Sequence, residues 1–170
     1  MQHTSFGNIE ESSFHQKLMD QFKDSKKIIL IDENVSELYL EYFITTFTAL
    51  HDAEVICIPA GEENKCLEIC AQVWSSMTEY KISRKDLLIN IGGGVTTDMG
   101  GFIASCYKRG IAFINIPTTL LSMVDASVGG KTGIDFMGFK NQIGTFAEPE
   151  HVYIDSRFLK TLSEEEKRSG

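Results

Sequence analysis

Four short apolar runs, each closed by a polar or glycine-rich turn, constrain this chain most. They are Lys26-Lys27-Ile28-Ile29-Leu30-Ile31, Ala53 to Ile58, Asp86 to Ile91 and Ile111 to Ile116. Residues of helical periodicity precede the first of them and lie between the others. Phe14, Leu18 and Phe22 fall at i, i+4 and i+8, and Val35, Leu38, Tyr39, Tyr42, Phe43 and Phe47 repeat at helical spacing. Cys66, Ile69, Cys70, Val73, Met77 and Tyr80 form one face of a further helix, widened by Trp74. Strands that are apolar without alternation are covered on both faces, and their alternation with helices implies a parallel sheet. Ligands of such sheets bind beyond the carboxyl ends of the strands. That rule nominates Asp32, Glu62, the glycines at 92–94, Thr118 and Thr119, which share one edge although distant in sequence.

The third run feeds directly into Gly92-Gly93-Gly94-Val95-Thr96-Thr97-Asp98-Met99-Gly100-Gly101, which reads as strand, tight turn and helix running to about Tyr107. A turn without Cβ atoms lets backbone N–H groups approach a phosphate, and the helix N-terminus behind it favours negative charge. A Gly-rich turn that merely joins strand to helix is equally common. The common dinucleotide fingerprint does not fit, because Thr97 stands where its last glycine belongs. Gly129-Gly130-Lys131-Thr132 is no P-loop either, since Asp125 occupies the position of the required first glycine. Asp98 is expected in the first turn of its helix, where it would suit the dipole or accept a hydrogen bond from a ligand hydroxyl.

Composition bounds the partners. A chain of 170 residues is expected to form one domain, 1–170, with a core of its own. The formal net charge of −8 argues against a general nucleic-acid or membrane-surface role. Between Arg84 and Lys140, however, six Lys/Arg face four Asp/Glu, so the Gly-rich half is the place for an anionic small molecule. Cys57, Cys66, Cys70 and Cys106 form no CxxC pair; Cys66 and Cys70 read as buried small hydrophobes, and a reducing cytoplasm fits. His3, His15, His51 and His151 are scattered, so no metal site is expected within these residues. Neither a signal peptide nor a membrane-spanning run is evident.

After Thr119 the pattern changes. Leu120 to Val124 suggests one helical turn, Ser127 to Asp135 a short ribbon, Met137 to Glu148 a loop, and His151 to Ile154 a last strand. Ser163 with Glu166 reads as a capping box. Taken singly, Lys131 and Lys140 are ordinary solvated loop lysines, Arg109 a helix C-terminal cap, Asp125 a turn former and Glu62 an N-terminal helix charge.

Six ordered motifs together say more than any one. Gly61-Glu62-Glu63-Asn64-Lys65, Gly92 to Asp98, Pro117-Thr118-Thr119-Leu120-Leu121, Asp125 to Gly133, Lys140-Asn141-Gln142-Ile143-Gly144 and Phe158-Leu159-Lys160-Thr161-Leu162 follow one another. In this order they resemble the 3-dehydroquinate synthases, a family of sugar phosphate cyclases, over roughly residues 28 to 170. The resemblance implies a Rossmann-like α/β domain, a parallel sheet with helices on both faces, followed by a C-terminal helical domain absent from this chain. It implies conversion of 3-deoxy-D-arabino-heptulosonate 7-phosphate to 3-dehydroquinate plus phosphate, with catalytic NAD and a divalent metal, Zn or Co, in a cytoplasmic homodimer of the shikimate pathway. NAD contacts then fall to Asp32, Asn34, Glu62, Lys65, Gly93, Gly94, Val95, Asp98, Thr118, Thr119, Lys140, Phe158, Leu159, Lys160 and Thr161. The phosphorylated sugar-acid substrate falls to Arg109, Asp125, Lys131 and Asn141.

Two positions depart from the family. Asp32-Glu33-Asn34 matches a variable segment only loosely, and Phe139 stands before Lys140 where glycine is usual. The metal-binding Glu and two His of the family come after the position of Gly170, so residues 1–170 alone are expected to bind NAD weakly and not to turn over. Loops at 125–145, lacking the bracing of that domain, are expected to be mobile. Alternatives are another sugar phosphate cyclase (2-deoxy-scyllo-inosose or valiolone synthase), a glycerol-type dehydrogenase, which the 125–133 block disfavours, or a stand-alone, non-catalytic nucleotide-binding module.

Overall fold

The computed structural model describes residues 3–164 and 167. Strands β1 (Thr4–Phe6), β2 (Lys27–Asp32), β3 (Glu54–Ile58), β4 (Leu87–Gly92), β5 (Ala112–Pro117) and a late strand, His151–Ile154, make one sheet. With β6 (Lys131–Phe136) and β7 (Phe139–Phe146) forming a separate hairpin, the late strand is β8 and the sheet order is β1-β8-β5-β4-β2-β3. Every neighbouring pair in that sheet is parallel. β2 and β4 are apolar on both faces because each face has its own helical cover. Ile29, Ile31, Ile89 and Ile91 pack with α1 (Phe14–Asp20) and α2 (Glu33–Thr46) through Phe14, Leu18 and Phe43, and with Phe47 just after α2. Ile28, Leu30, Leu88 and Phe113 pack with α3 (Leu67–Glu79) and α4 (Gly94–Cys106) through Val73, Met77, Met99 and Ile103.

The sequence pattern matches β2 to β5, β8 and all four helices, and other parts differ from expectation. β1, three residues long, carries no periodicity to read and exists because its backbone pairs with β8 in the register Thr4↔Val152. The stretch 137–148, expected as loop, contains β7, paired antiparallel with β6. Most of β7 faces solvent, so polar residues occupy both faces and the alternation that marks a half-buried strand is missing. The turn expected at Leu120–Val124 lies at Ser122–Ala126, wound wider than an α-helix. Cys70 is buried as expected, whereas Cys66 is half-buried and Cys57 and Cys106 are exposed. The Ser163–Glu166 capping box lies outside the described residues at Glu166.

At the β1–β8 edge, Ser5 Oγ lies 2.7 Å from His151 Nε2, and the His151 ring stacks on Tyr153 with centroids 4.2 Å apart. Burial, with help from Lys17 and His3, lowers the His151 pKa from 6.5 to about 4. The folded chain therefore binds fewer protons here than the unfolded chain between those values, and stability is lost as pH falls through that window. His151→Gln is expected to flatten the fall in Tm between about pH 7 and pH 4.5. An equally steep fall in the variant would refute the assignment.

Candidate functional site

The carboxyl ends of β2, β3, β4 and β5 meet the first turn of α4, and two cavities open there. Gly93 is the residue before α4 and has no side chain to cap it, so first-turn N–H groups stay directed at the opening. Beside them, the buried Thr118 hydroxyl has no hydrogen-bond partner among the described residues. Two of the turn's three glycines are closely packed. A Cβ at Gly93 would stand 2.9 Å from Thr119 Cγ2, and one at Gly92 would stand 2.5 Å from Thr96 Oγ1. An N–H cradle with an unanswered hydroxyl beside it fits a pyrophosphate, and hence the family's NAD.

The smaller cavity, about 330 Å³, is lined by Asp32, Asn34, Gly93, Gly94, Val95, Thr118, Thr119 and Thr161, together with Tyr39, Gly61 and other residues. Asp32 also caps α2, accepting from Val35 N at 3.1 Å, and accepts from Thr96 Oγ1 at 3.2 Å. Thr161 is brought there by the turn Ser156–Thr161, where the Tyr39 hydroxyl meets Thr161 Oγ1 at 2.7 Å. Asp155 anchors that turn. Burial opposes its charge, but the Arg157 guanidinium and the N–H groups of Ile9 and Arg157 outweigh burial and hold its carboxyl below the usual range. Of the other residues assigned to the cofactor in this turn, Phe158 is buried in the α1–α2 core, Leu159 packs against that core and Lys160 is exposed. None of those three lines either cavity.

The larger cavity, about 720 Å³, shares Gly94 and Val95 with the first and adds Glu62, Lys65, Asp98, Asp125, Lys131, Lys140 and Asn141. Both volumes suit small organic ligands. At its centre Lys65, 4 % exposed, donates to Asp98 Oδ2 at 2.7 Å and to Asn141 Oδ1 at 2.8 Å. Asp98 is the fifth residue of α4 and so lies beyond the first turn expected for it. Burial raises its pKa against the pull of Lys65, and the Glu62 and Asp125 carboxylates push the same way as burial. The hairpin closes over this pair: Asp135 N donates to the Lys65 carbonyl at 2.8 Å, and Asn141 N to Asp135 Oδ1 at 2.8 Å. Lys140 pairs with Glu62 at 3.3 Å on the exposed rim, and Lys131 is exposed as well. The cavity thus offers cations at its rim and a hydroxyl-binding carboxylate within.

Twelve of the fifteen residues assigned to cofactor line one cavity or the other, as do Asp125, Lys131 and Asn141 of the substrate set. Arg109 does not. It follows α4 at the end away from the glycine turn, in a left-handed run with Lys108 and Gly110. Leu121, Thr132, Thr145 and Phe146 also line the larger cavity, and sequence reasoning missed them because each is an ordinary turn or strand residue. Among the described residues, no three His, Cys, Asp or Glu side chains are gathered to hold a metal ion. The described residues therefore do not fit the divalent metal that the resemblance implies.

A model of the 3-dehydroquinate synthase N-terminal family matches residues 55–169. The 3-dehydroquinate synthase of Parabacteroides distasonis is 44% identical over 155 residues, covering 91% of this chain and 44% of its own length. That of Campylobacter jejuni subsp. doylei is 48% identical over 147 residues, covering 86% of this chain and 42% of its own. Among solved structures, 2-epi-5-epi-valiolone synthase from Streptomyces hygroscopicus, with NAD+ and Zn2+ bound, superposes with a TM-score of 0.86 at 32% identity, covering 98% of this chain and 46% of its own. The chain spans less than half the length of these relatives.

Proposed function

Because the chain belongs to the 3-dehydroquinate synthase family, we propose that it is the NAD-binding portion of a cyclase that eliminates phosphate from 3-deoxy-D-arabino-heptulosonate 7-phosphate to form 3-dehydroquinate. The observation that carries this reading is the junction of the two cavities at Gly94 and Val95. A nucleotide held in the smaller cavity would meet a substrate held in the larger at that shared wall. Gly93, Gly94, Val95 and Thr118 would hold the pyrophosphate, and Asp98 a hydroxyl. Bound NAD supplies a reversible hydride acceptor. Lys131 binds the anionic phosphate and stabilises the charge it takes away on leaving, and Lys140 serves the cofactor. Asn141 and Asp125 orient the sugar hydroxyls. The position of Arg109 at the far end of α4 suits a contact supplied from a second copy in a homodimer. No helix among the described residues is long and apolar enough to cross a membrane, and we place the enzyme in the cytoplasm.

A divalent metal, Zn or Co, is assigned to the full-length protein, and residues 1–170 alone are assigned no turnover. The deciding experiment is phosphate release by the full-length protein from the heptulosonate phosphate, with NAD and Zn²⁺ supplied. Absence of release overturns the assignment. Preference for a phosphorylated sugar without a carboxylate would move the chain to another cyclase of this group, for which the overlap with valiolone synthase is the supporting observation. In the same assay Lys131→Met is expected to raise KM about 10- to 100-fold, the loss of one charge-assisted phosphate contact, with NAD affinity unchanged. Equal losses in both would remove Lys131 from the phosphate site.

A further inference from the structure

Two amides stand in the sheet where hydrocarbon is expected. Asn90 on β4 and Asn115 on β5 are register partners, and Leu30 on β2 is the next residue in their row. They are 0% and 3% exposed. Two residues earlier the same strands carry Leu88 and Phe113, both in the α3–α4 core. A pair of aliphatic residues would fill this space with no polar group to satisfy, so two amides here are explained only by what they bond to. Their donors lead in one direction. Asn90 Nδ2 donates to Asn115 Oδ1 at 2.9 Å, and Asn115 Nδ2 to the Ser127 carbonyl at 3.4 Å. Ser127 Oγ donates to the Ser122 carbonyl at 2.5 Å, and Ser122 Oγ to the Thr119 carbonyl at 3.1 Å.

This path runs from the middle of the sheet to the 119–127 turn, which carries Asp125 and walls the larger cavity. Within Ser122–Ala126 only Ser122 and Met123 are buried, so the packing that holds the turn is small. The other end of the path is fixed. α4 crosses Asn90 at Gly100, where a Cβ would lie 2.1 Å from Asn90 Oδ1.

We propose that Asn115, backed by Asn90, is a positioning residue that sets the height of the 119–127 turn, and with it Asp125, over the substrate cavity. The catalytic half of this statement rests on the reading of that cavity as the sugar phosphate site. Asn115→Leu in the full-length protein keeps the bulk and removes both bonds. Amide exchange at residues 122–128 is expected to quicken about tenfold, as for one lost hydrogen bond, with exchange at residues 99–104 of α4 unchanged. KM for the sugar phosphate is expected to rise about tenfold while the Kd for NAD stays within about twofold. If Asn115→Leu does not fold, the double change Asn90→Leu and Asn115→Leu, which orphans no amide, is measured in the same way. Unchanged exchange in the turn overturns the proposal. So does equal loosening of turn and α4, or faster exchange in the turn with unaltered KM. Faster exchange confined to the turn, in a protein whose wild type does not act on the sugar phosphate, supports the tether and refutes the substrate assignment instead.

Discussion

Lys65→Met is expected to lower the stability of the chain by about 3 kcal/mol at neutral pH, the lower end of the cost of breaking a buried ion pair. The lower end applies because the Asp98 side chain keeps 18% exposure. In a chain of this size that corresponds to a fall in Tm of about 6–12 °C. The loss has two parts. Asp98 is left without its cation in a site where burial already disfavours its charge. Asn141 loses the donor that ties the hairpin to the segment after β3. The pH dependence carries a definite sign. Without Lys65, the pKa of Asp98 moves further above its unfolded value, so the folded chain takes up a proton that the unfolded chain does not. Stability then rises as pH falls through the folded Asp98 value, and is lost as pH climbs. Melting curves of variant and wild type should differ more at about pH 8 than at about pH 5, with the His151 contribution common to both. A deficit equal at both values would show that Asp98 does not carry the effect. NAD binding by the variant is expected to be lost, since its cavity wall is no longer held.

Two glycines in one helix should fail in opposite ways. Gly100→Ala places a methyl 2.1 Å from Asn90 Oδ1 and 2.3 Å from its Cγ. Asn90 cannot yield, being fully buried between strands and bonded to Asn115. Overpacking and a displaced amide together cost about 2–4 kcal/mol, more than the ~1 kcal/mol that alanine returns in a helix interior. Gly94→Ala meets nothing nearer than Ala126 Cβ at 3.6 Å, an ordinary contact, so its Tm should hold or rise slightly. Gly94 nevertheless lines both cavities, and the added methyl stands where ligand must approach the backbone. Calorimetric titration with NAD separates the two. Gly94→Ala should fold and bind NAD at least about tenfold more weakly, while Gly100→Ala should unfold early. A Gly100→Ala protein with unchanged Tm would contradict the close approach of α4 to the sheet.

The sheet was legible because central parallel strands are apolar on both sides and each ends in a turn with its own chemistry. Hidden were the parts whose stability comes from pairing alone. β1 is too short for any period to show, and β7 lacks a buried face from which to read alternation. The cavity residues were legible as separate positions through the ordered motifs; their mutual bonds were not. Lys65 and Asp98 are 33 residues apart, and each reads as a ligand contact until the fold shows that they first satisfy one another. Asn90 and Asn115 stand as polar interruptions inside runs that read as continuously apolar. Only the register, which sets them side by side, gives that interruption a meaning.

The sheet order also dictates a sequence in time. Among the described residues β1 pairs with the sheet only through β8, and β8 is what joins it to β5. On the ribosome, Thr4 emerges about 150 residues before Val152, which at ~5–20 residues per second is a wait of roughly 7–30 s. Through that interval the β2–β5 layer can assemble with α2, α3 and α4, while the open edge of β5 and the nascent first strand both lack their partner. Completion of the sheet is therefore a late event, gated by delivery of residues 151–154. A substitution that weakens β8 would act first on the newborn chain, through its exposure to chaperones and proteases, before any change in the finished protein could be measured.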